Sequence, residues 1–555
     1  MGKLNRGGKQ NLSPIVILGA LALLVAIAII GIGKVDPSGL GQSLARPEPL
    51  PQQEDIQVYF NLNDAKGADF IDPDRNFKRQ GDNFEQIIID QINQAQSTID
   101  LAVQELRLPR IAQALVEKQR SGVRVRLVLE NIYNQTIKEA VEAEKDPYRY
   151  RAPLAYLDQN QDGRISPEES AERDAIEILR TQKIPLIDDT EDGSKGSGLM
   201  HHKFVVLDNK TVIVTSANFT PSDKYGDYDD HFTRGNANNL LVIQSPAVAH
   251  LFTEEFNLLW GDGPGAKKDS LFGINKPNRP AKALKVGETT VTVKFSPDRR
   301  AIPFTETSNG LIAQYLNQAQ QKIQLALFVF SEQALSNLIN QRFQAGTEVK
   351  ALIDRGFAFR YYSEGLDLLG VKLLEDCLEQ PGNLPWALPT EFVGTPALPR
   401  GDKLHHKFAL VDDDTVITGS HNWSPAANHS NDETVLVLQN AQIGVHYQRE
   451  LDRLYAITEY GLPPTVQARI ERQEQECANP QPSPKPLATA TPNRLVNLNR
   501  GSQTELESLP GIGPSTAEKI IATREQKAFT SLEDLARVKG IGPSKIEGLR
   551  GKVTW

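Results

Sequence analysis

Cysteine is close to absent: only Cys377 and Cys477 occur in 555 residues. That excludes a disulfide framework and a cysteine-rich zinc site. It leaves at most one bridge, which an oxidising compartment would permit. An excess of positive charge is missing too, since 61 Lys and Arg face 70 Asp and Glu, a net charge of −9. The chain as a whole is therefore no basic nucleic-acid coat, and any nucleic-acid binding falls to a local patch. Long apolar runs are scarce. With 39% hydrophobic and 24% charged residues, the composition excludes a collagen-like, wholly disordered or multi-span membrane protein. The length is too great for one core and implies roughly two to four domains.

The one long apolar run is Ile15 to Gly33, IVILGALALLVAIAIIGIG. At 1.5 Å per residue it reaches roughly 28 Å, close to the hydrocarbon thickness of a bilayer. Lys3, Arg6 and Lys9 precede it and Lys34 follows. This predicts a signal anchor over residues 1–34, with the amino terminus cytoplasmic and the bulk of the chain extracytoplasmic. A cleaved signal peptide is the rival, with Ser43-Leu44-Ala45 as its best cleavage site. Residues 35–54, rich in Pro, Gly, Gln and Ser, read as a tether.

The next 400 residues repeat one pattern. IQVYFNLND, DNFEQIIIDQINQAQ, TIDLAVQEL, IAQALVEKQRSG and VRVRLVLEN alternate as strand, helix, strand, helix, strand. VTVKFSPD, NGLIAQYLNQAQ, KIQLALFVFS, SNLINQRFQAG and EVKALIDRG do the same about 200 residues later. The alternation predicts an α/β fold with layered sheets. The halves are expected over 55–265 and 286–465, joined by a linker at 266–285.

Each half carries one dense cluster. The first is His201-His202-Lys203, then Asp208, then Thr215-Ser216-Ala217-Asn218; the second is His405-His406-Lys407, then Asp412, then Gly419-Ser420-His421-Asn422. In a strand, alternate residues share a face. His201 and Lys203 then point one way, as do His405 and Lys407, while His202 and His406 point to the opposite, packing face. Ser216 with Asn218, and Ser420 with Asn422, alternate likewise. Each half offers an imidazole, an ammonium, a hydroxyl and an amide to one spot, a set suited to a phosphoryl group. Asp208 and Asp412 fall at strand ends, where they orient backbone or support the motif.

Both clusters read H-x-K-x4-D-x6-(G/T)-S-x-N, which resembles the phospholipase D superfamily signature over roughly residues 55–460. The resemblance implies two sandwich halves sharing one site. It also implies a covalent phosphohistidine intermediate resolved by water or another alcohol, with no catalytic metal. One histidine attacks phosphorus and the other protonates the leaving oxygen. The expected catalytic set is His201, Lys203, Ser216, Asn218, His405, Lys407, Ser420 and Asn422, supported by Asp208, Asp412 and Glu433. Two departures stand out. Thr215 replaces the usual glycine, which predicts a slightly tighter phosphate pocket in the first half. Glu433 fits the family's histidine-orienting carboxylate, whereas the matching Asn238 has no charge, so the two histidines should differ in pKa. His201 is expected to be the nucleophile and His405 the acid. Because both half-sites lie in one chain, a monomer should suffice.

The first half also holds an insertion with Asp158, Asn160, Asp162, Gly163, Arg164, Ser166 and Glu169. Over residues 158–169 it resembles an EF-hand loop, with the glycine at position six, and implies structural calcium.

A Pro-rich linker is expected over 466–492, followed by a basic module. Residues 493–555 hold ten Lys and Arg and seven Asp and Glu, leaving the remainder of the chain at about −12. Two segments repeat there, Leu509-Pro510-Gly511-Ile512-Gly513-Pro514 and Val538-Lys539-Gly540-Ile541-Gly542-Pro543. They resemble tandem helix-hairpin-helix modules of competence-type DNA receptors, an all-α domain. The resemblance implies backbone-phosphate contacts without sequence readout from Gly511, Ile512, Gly513, Lys519, Lys539, Gly540, Ile541, Gly542 and Lys545. Together these readings predict a membrane-anchored nuclease acting on DNA. The alternative is a phospholipase D or phosphatidyltransferase acting on membrane phospholipid, and a third reading is a DNA receptor with an auxiliary catalytic half.

Overall fold

The computed structural model describes residues 46–478 and 495–555, apart from 144–150, 195–197, 227–231, 376, 381 and, in the C-terminal part, 502–504, 507–508, 510–511, 513, 539–540, 542–545, 547–548 and 551. The apolar run expected to anchor the chain lies outside the described residues. Among the described residues no helix is long and apolar enough to cross a membrane.

The first half builds a seven-stranded sheet. Its strands are β1 (Ile56–Phe60), β2 (Thr98–Val103), β3 (Arg124–Leu129), β4 (Leu186–Asp188), β5 (Lys203–Leu207), β6 (Thr211–Thr215) and β7 (Asn239–Gln244). They lie in the order β1-β7-β6-β5-β2-β3-β4. The parallel β2–β3 step needs a crossover, which helix α2 (Pro109–Arg120) supplies. Helix α1 (Phe84–Gln94) packs beside it, started by Asn83, whose side chain accepts from the Gln86 amide. Helix α3 (Pro246–Trp260) closes the half; Ser245 caps it and proline occupies its first turn.

The second half builds a nine-stranded sheet. Its strands are β8 (Lys282–Val286), β9 (Thr289–Ser296), β10 (Lys322–Leu327), β11 (Glu348–Ile353), β12 (Val393–Pro396), β13 (Lys407–Val411), β14 (Thr415–Gly419), β15 (Glu433–Gln439) and β16 (Thr458–Tyr460). The order is β8-β9-β15-β14-β13-β10-β11-β12-β16. Helices α4 (Ser308–Leu316), α5 (Gln333–Gln344) and α6 (Ala441–Tyr455) repeat the placing of the first three.

The central strands are buried on both faces, which is why they read as continuous apolar runs rather than alternating ones. One face of each sheet is covered by helices α1 and α2, or α4 and α5, giving two separate outer cores, while α3 and α6 pack into the core on the other side. The other faces meet in a shared core that includes Phe204 and Val212 of the first half and Phe408 and Leu436 of the second. This shared core brings the two motif strands together.

Three expected boundaries differ. The linker at 266–285 is not a passive spacer: it ends in β8, and its Lys276 is buried, with Nζ 2.6 Å from Asp432 and donating to the Ser296 carbonyl. The last residues of the tether are seated on the first half, where Gln52 exchanges two hydrogen bonds with the Val58 backbone. The start of the Pro-rich linker is helix α7 (Pro464–Ala478). Cys477 on that helix is bonded to Cys377, a closure across 100 residues.

The C-terminal residues form a separate compact unit from Ala478 to Trp555. Helix α8 (Pro514–Gln526) runs through it, and Leu498, Ile520, Phe529, Leu535 and Leu549 fill its core.

Candidate active site

The site is assembled by strand register. Val103 of β2 pairs with Lys203 of β5, and Leu327 of β10 pairs with Lys407 of β13. The histidines sit just before these strands and are held by the opposite half: the His201 amide donates to the Asp432 carbonyl and the His405 amide to the Ala237 carbonyl, each at 3.0 Å. The preceding residues are fixed by carboxylates. Glu130 accepts from the Met200 amide at 2.5 Å, and Asp354 from the Leu404 amide at 2.9 Å.

The side chains then cross between halves. His201 Nδ1 lies 2.7 Å from Glu433 Oε2, which also accepts from the Ser420 hydroxyl at 2.7 Å. His405 Nδ1 lies 3.0 Å from Asn238 Oδ1, which accepts from the Ser216 hydroxyl at 2.8 Å. A partner at Nδ1 leaves Nε2 of each ring for chemistry. Each lysine reaches back to its own motif, Lys203 to the His201 carbonyl at 2.8 Å and Lys407 to the His405 carbonyl at 2.6 Å. Asn218 and Asn422 each keep a buried amide oxygen that no protein group bonds. With the amide turned over, each offers its NH2 to a phosphoryl oxygen.

Electrostatics follow from this crowding. Burial pushes both His201 and His405 well below the ordinary imidazole value, and Lys203 and Lys407 push the same way. Lys203 is itself brought down to about 8 by burial, and Lys407 falls well below its usual range. Burial raises Glu433. Two cationic side chains converge on a dry centre, which a phosphodiester anion would satisfy. The same anion would offset the lysines and allow one imidazole to hold a proton.

The remaining sequence-predicted residues fall into place or out of it. His202 and His406 face away and bond Glu255 and Glu450, at 2.9 and 2.8 Å, on the closing helices α3 and α6. Asp208 and Asp412, grouped with the catalytic set as supports and expected to orient backbone, lie at the far strand ends and touch no motif side chain. Asp208 gathers the amides of Gln96, Ser97 and Thr98, and Asp412 those of Gln320, Gln321 and Lys322. They bind the turns entering β2 and β10 and do not face the histidines. The Thr215 hydroxyl turns to the backbone and donates to the Asn239 carbonyl at 2.6 Å. At the matching place a Cβ on Gly419, at φ +132°, would sit 2.2 Å from the Thr434 carbonyl oxygen, so that half needs glycine.

The calcium loop departs from expectation. Glu169 accepts from the amides of Gln159, Asn160 and Ser166, and with Ser166 forms a capping box on a short helix. Asp158 accepts from the Asp162 and Gly163 amides, Asn160 from the Asp162 amide, and Asp162 from the Arg164 amide. These oxygens serve their own loop, and among the described residues no cluster of acidic, His or Cys side chains is gathered to hold a metal.

Two groups escaped the sequence reading. Gln104 and Phe328 follow β2 and β10 at equivalent places; Lys203 Nζ is 3.3 Å from Gln104 Oε1, whereas Lys407 Nζ stands 4.9 Å above the Phe328 ring. Phe328 also packs edge-on to His405. A cleft lined by Glu105, Arg107, Asn218, Phe328 and Lys403 opens at His405. Comparing the residue after each aligned strand would have found this pair.

Residues 88–260 and 312–455 match the family model described as cardiolipin synthase, PLD-like domain, the two halves in turn. The chain belongs to the PLD-like domain family. As a member of the phospholipase D superfamily it is a phosphodiesterase. Residues 492–554 match the helix-hairpin-helix motif. A mitochondrial cardiolipin hydrolase of Xenopus laevis is 26% identical over 183 residues, 32% of this chain and 78% of the relative. ComE operon protein 1 of Bacillus subtilis is 43% identical over 61 residues, 11% of this chain; the chain spans 30% of that relative's length. Among solved structures, a phospholipase D family member, Nuc, from Salmonella typhimurium aligns with a TM-score of 0.23 and 22% identity, over 38% of this chain and 97% of that one.

Within the helix-hairpin-helix region the structure describes part of the expected DNA-contact set. The Ile512 and Ile541 side chains are buried in the module's core. Lys519 is exposed on helix α8. Gly511, Gly513, Lys539, Gly540, Gly542 and Lys545 lie outside the described residues.

Proposed function

We propose that this PLD-like phosphodiesterase cleaves DNA at the outer face of a membrane. The observation that carries the reading is the helix-hairpin-helix motif on the same chain as a complete paired-histidine site. A backbone-binding module of that kind has no use for a lipid substrate and raises the local concentration of DNA. His201 is the nucleophile. Its Nε2 attacks phosphorus, the N–P bond forms, the P–O bond to the leaving nucleoside breaks, and His405 gives that oxygen its proton. His405 then takes a proton from water, whose oxygen attacks phosphorus and releases His201. The Glu433 carboxylate favours positive charge on His201 as it attacks, while the Asn238 amide leaves His405 the readier donor. Lys203 and Lys407 hold the phosphoryl oxygens, with the Asn218 and Asn422 amides beside them, so the chemistry calls on no metal.

The N-terminal apolar run supports a signal anchor with the catalytic halves outside, and the Cys377–Cys477 bridge supports an oxidising compartment. Both half-sites in one chain, crossed by the Glu433–His201 bond, support action as a monomer.

The second reading, hydrolysis or transfer on a phospholipid, is favoured by the apolar run and by the cardiolipin-named relatives. Incubation with plasmid DNA and, separately, with cardiolipin and phosphatidylcholine vesicles decides between them. Nicked or linear plasmid with intact lipid is the expected result. Released headgroup or phosphatidic acid with intact plasmid would overturn the DNA reading.

A further inference from the structure

The two halves carry their orienting groups in different places. Asn238 and Glu433 are equivalent, each immediately before the residue whose carbonyl accepts from the motif serine amide, Asn239 for Ser216 and Thr434 for Ser420. Glu433 brings a carboxylate to His201 and Asn238 brings an amide to His405. Asp223 and Ala427 are also equivalent, each third in a short helix opened by Thr220-Pro221 or Ser424-Pro425. The half that lacks the carboxylate at 238 has one at 223, and the half with Glu433 has alanine at 427.

The displaced carboxylate points at the same histidine. Asp223 is 3% exposed and its Oδ1 lies 3.6 Å from His405 Nδ1. The same oxygen accepts from Asn238 Nδ2 at 3.2 Å and from Asn236 Nδ2 at 2.7 Å. The first of these bonds, with one from Asn238 Nδ2 to the Asn236 carbonyl at 3.0 Å, fixes which way the Asn238 amide faces. With its NH2 held by Asp223, its oxygen must face His405 and the Ser216 hydroxyl. Asp223 Oδ2 accepts from the Asn218 amide at 2.9 Å, so the residue also ties down the S-x-N turn. Around His405 the other charged or titratable groups are Lys407, Lys203, Lys403 and His201; Glu105 and Lys224 stand near Asp223.

We propose that Asp223 is the positioning residue for His405, acting through Asn238 as the carboxylate that this half does not carry at position 238. The chain thus runs one histidine on a direct carboxylate and the other on a carboxylate–amide relay. The proposal rests on the phosphodiesterase chemistry of the paired histidines and not on DNA as the substrate.

The test uses the full-length chain and bis(4-nitrophenyl) phosphate, with Asp223→Asn, Asn238→Glu and the double variant, each checked for an unchanged melting profile. Removing the carboxylate lowers the proton affinity of His405. Asp223→Asn should therefore lower kcat about tenfold or more with little change in KM. It should also move the limb of the pH profile that belongs to His405 downward by about one pH unit. That limb is the alkaline one if His405 donates the proton and the acid one if it attacks. The double variant restores a carboxylate beside His405 and should recover both the rate and the limb. A fall in kcat with no limb shift, or a double variant as impaired as Asp223→Asn, would reduce Asp223 to a support for the S-x-N turn. If Asp223→Asn fails to fold, the double variant decides: active with a wild-type limb upholds the relay, folded and inactive overturns it.

Discussion

His405→Ala should release one equivalent of nitrophenolate from bis(4-nitrophenyl) phosphate in a burst and then stall. Nitrophenolate departs without a proton, so the first step needs only the nucleophile. The second step needs a base for water, which the variant lacks. On DNA the leaving alkoxide requires its proton, and His405→Ala should lose about 10²–10⁴-fold with no burst. His201→Ala should show neither burst nor turnover on either substrate, because the covalent intermediate cannot form. Rapid-mixing absorbance records the burst directly. A burst in His201→Ala and none in His405→Ala would exchange the roles, and the Glu433 carboxylate would then serve the proton donor.

Removing residues 493–555 should raise KM for DNA by about 100-fold through the loss of effective concentration. It should leave cleavage of bis(4-nitrophenyl) phosphate untouched, since the paired-histidine site lies wholly within the unit ending at Cys477. The balance of charge makes the module matter: its ten basic residues stand against an otherwise acidic chain. Binding by the full chain should weaken steeply with salt, as expected when phosphates are neutralised by lysine and arginine. Fluorescence anisotropy on a labelled duplex at two salt concentrations checks both effects. Equal DNA affinity with and without the module would place DNA recognition in the PLD-like halves.

Much of the site was legible because a strand repeats every two residues. That period put His201 with Lys203 and sent His202 the other way, where the structure finds it on Glu255. The internal repeat announced two half-sites, and register brought them together. What the sequence concealed is pairing between halves. Glu433 lies thirteen residues after Ser420 but orients the histidine of the first half, and no local pattern reveals that exchange. Asp223 was hidden for the same reason, standing in a turn that reads as a helix start. The loop over 158–169 is read from residue types, and a ligand pattern fixes those types and not where their oxygens point. Glu169 satisfies the EF-hand pattern and a capping box equally, and here it closes the box. Ile512 and Ile541 read from sequence as part of a phosphate-binding turn, and their side chains supply the module's core.

The central claim is a covalent phosphohistidine formed on DNA at a site shared by the two halves. DNA labelled with ³²P at internal phosphates, mixed with the full-length chain in EDTA and quenched in alkali, tests it most directly. Wild type quenched within its first turnovers should retain label that alkali preserves and acid releases, on the peptide containing His201, and His201→Ala should retain none. Label that survives acid, label on a peptide without either motif histidine, or cleavage by wild type that EDTA abolishes would contradict the account.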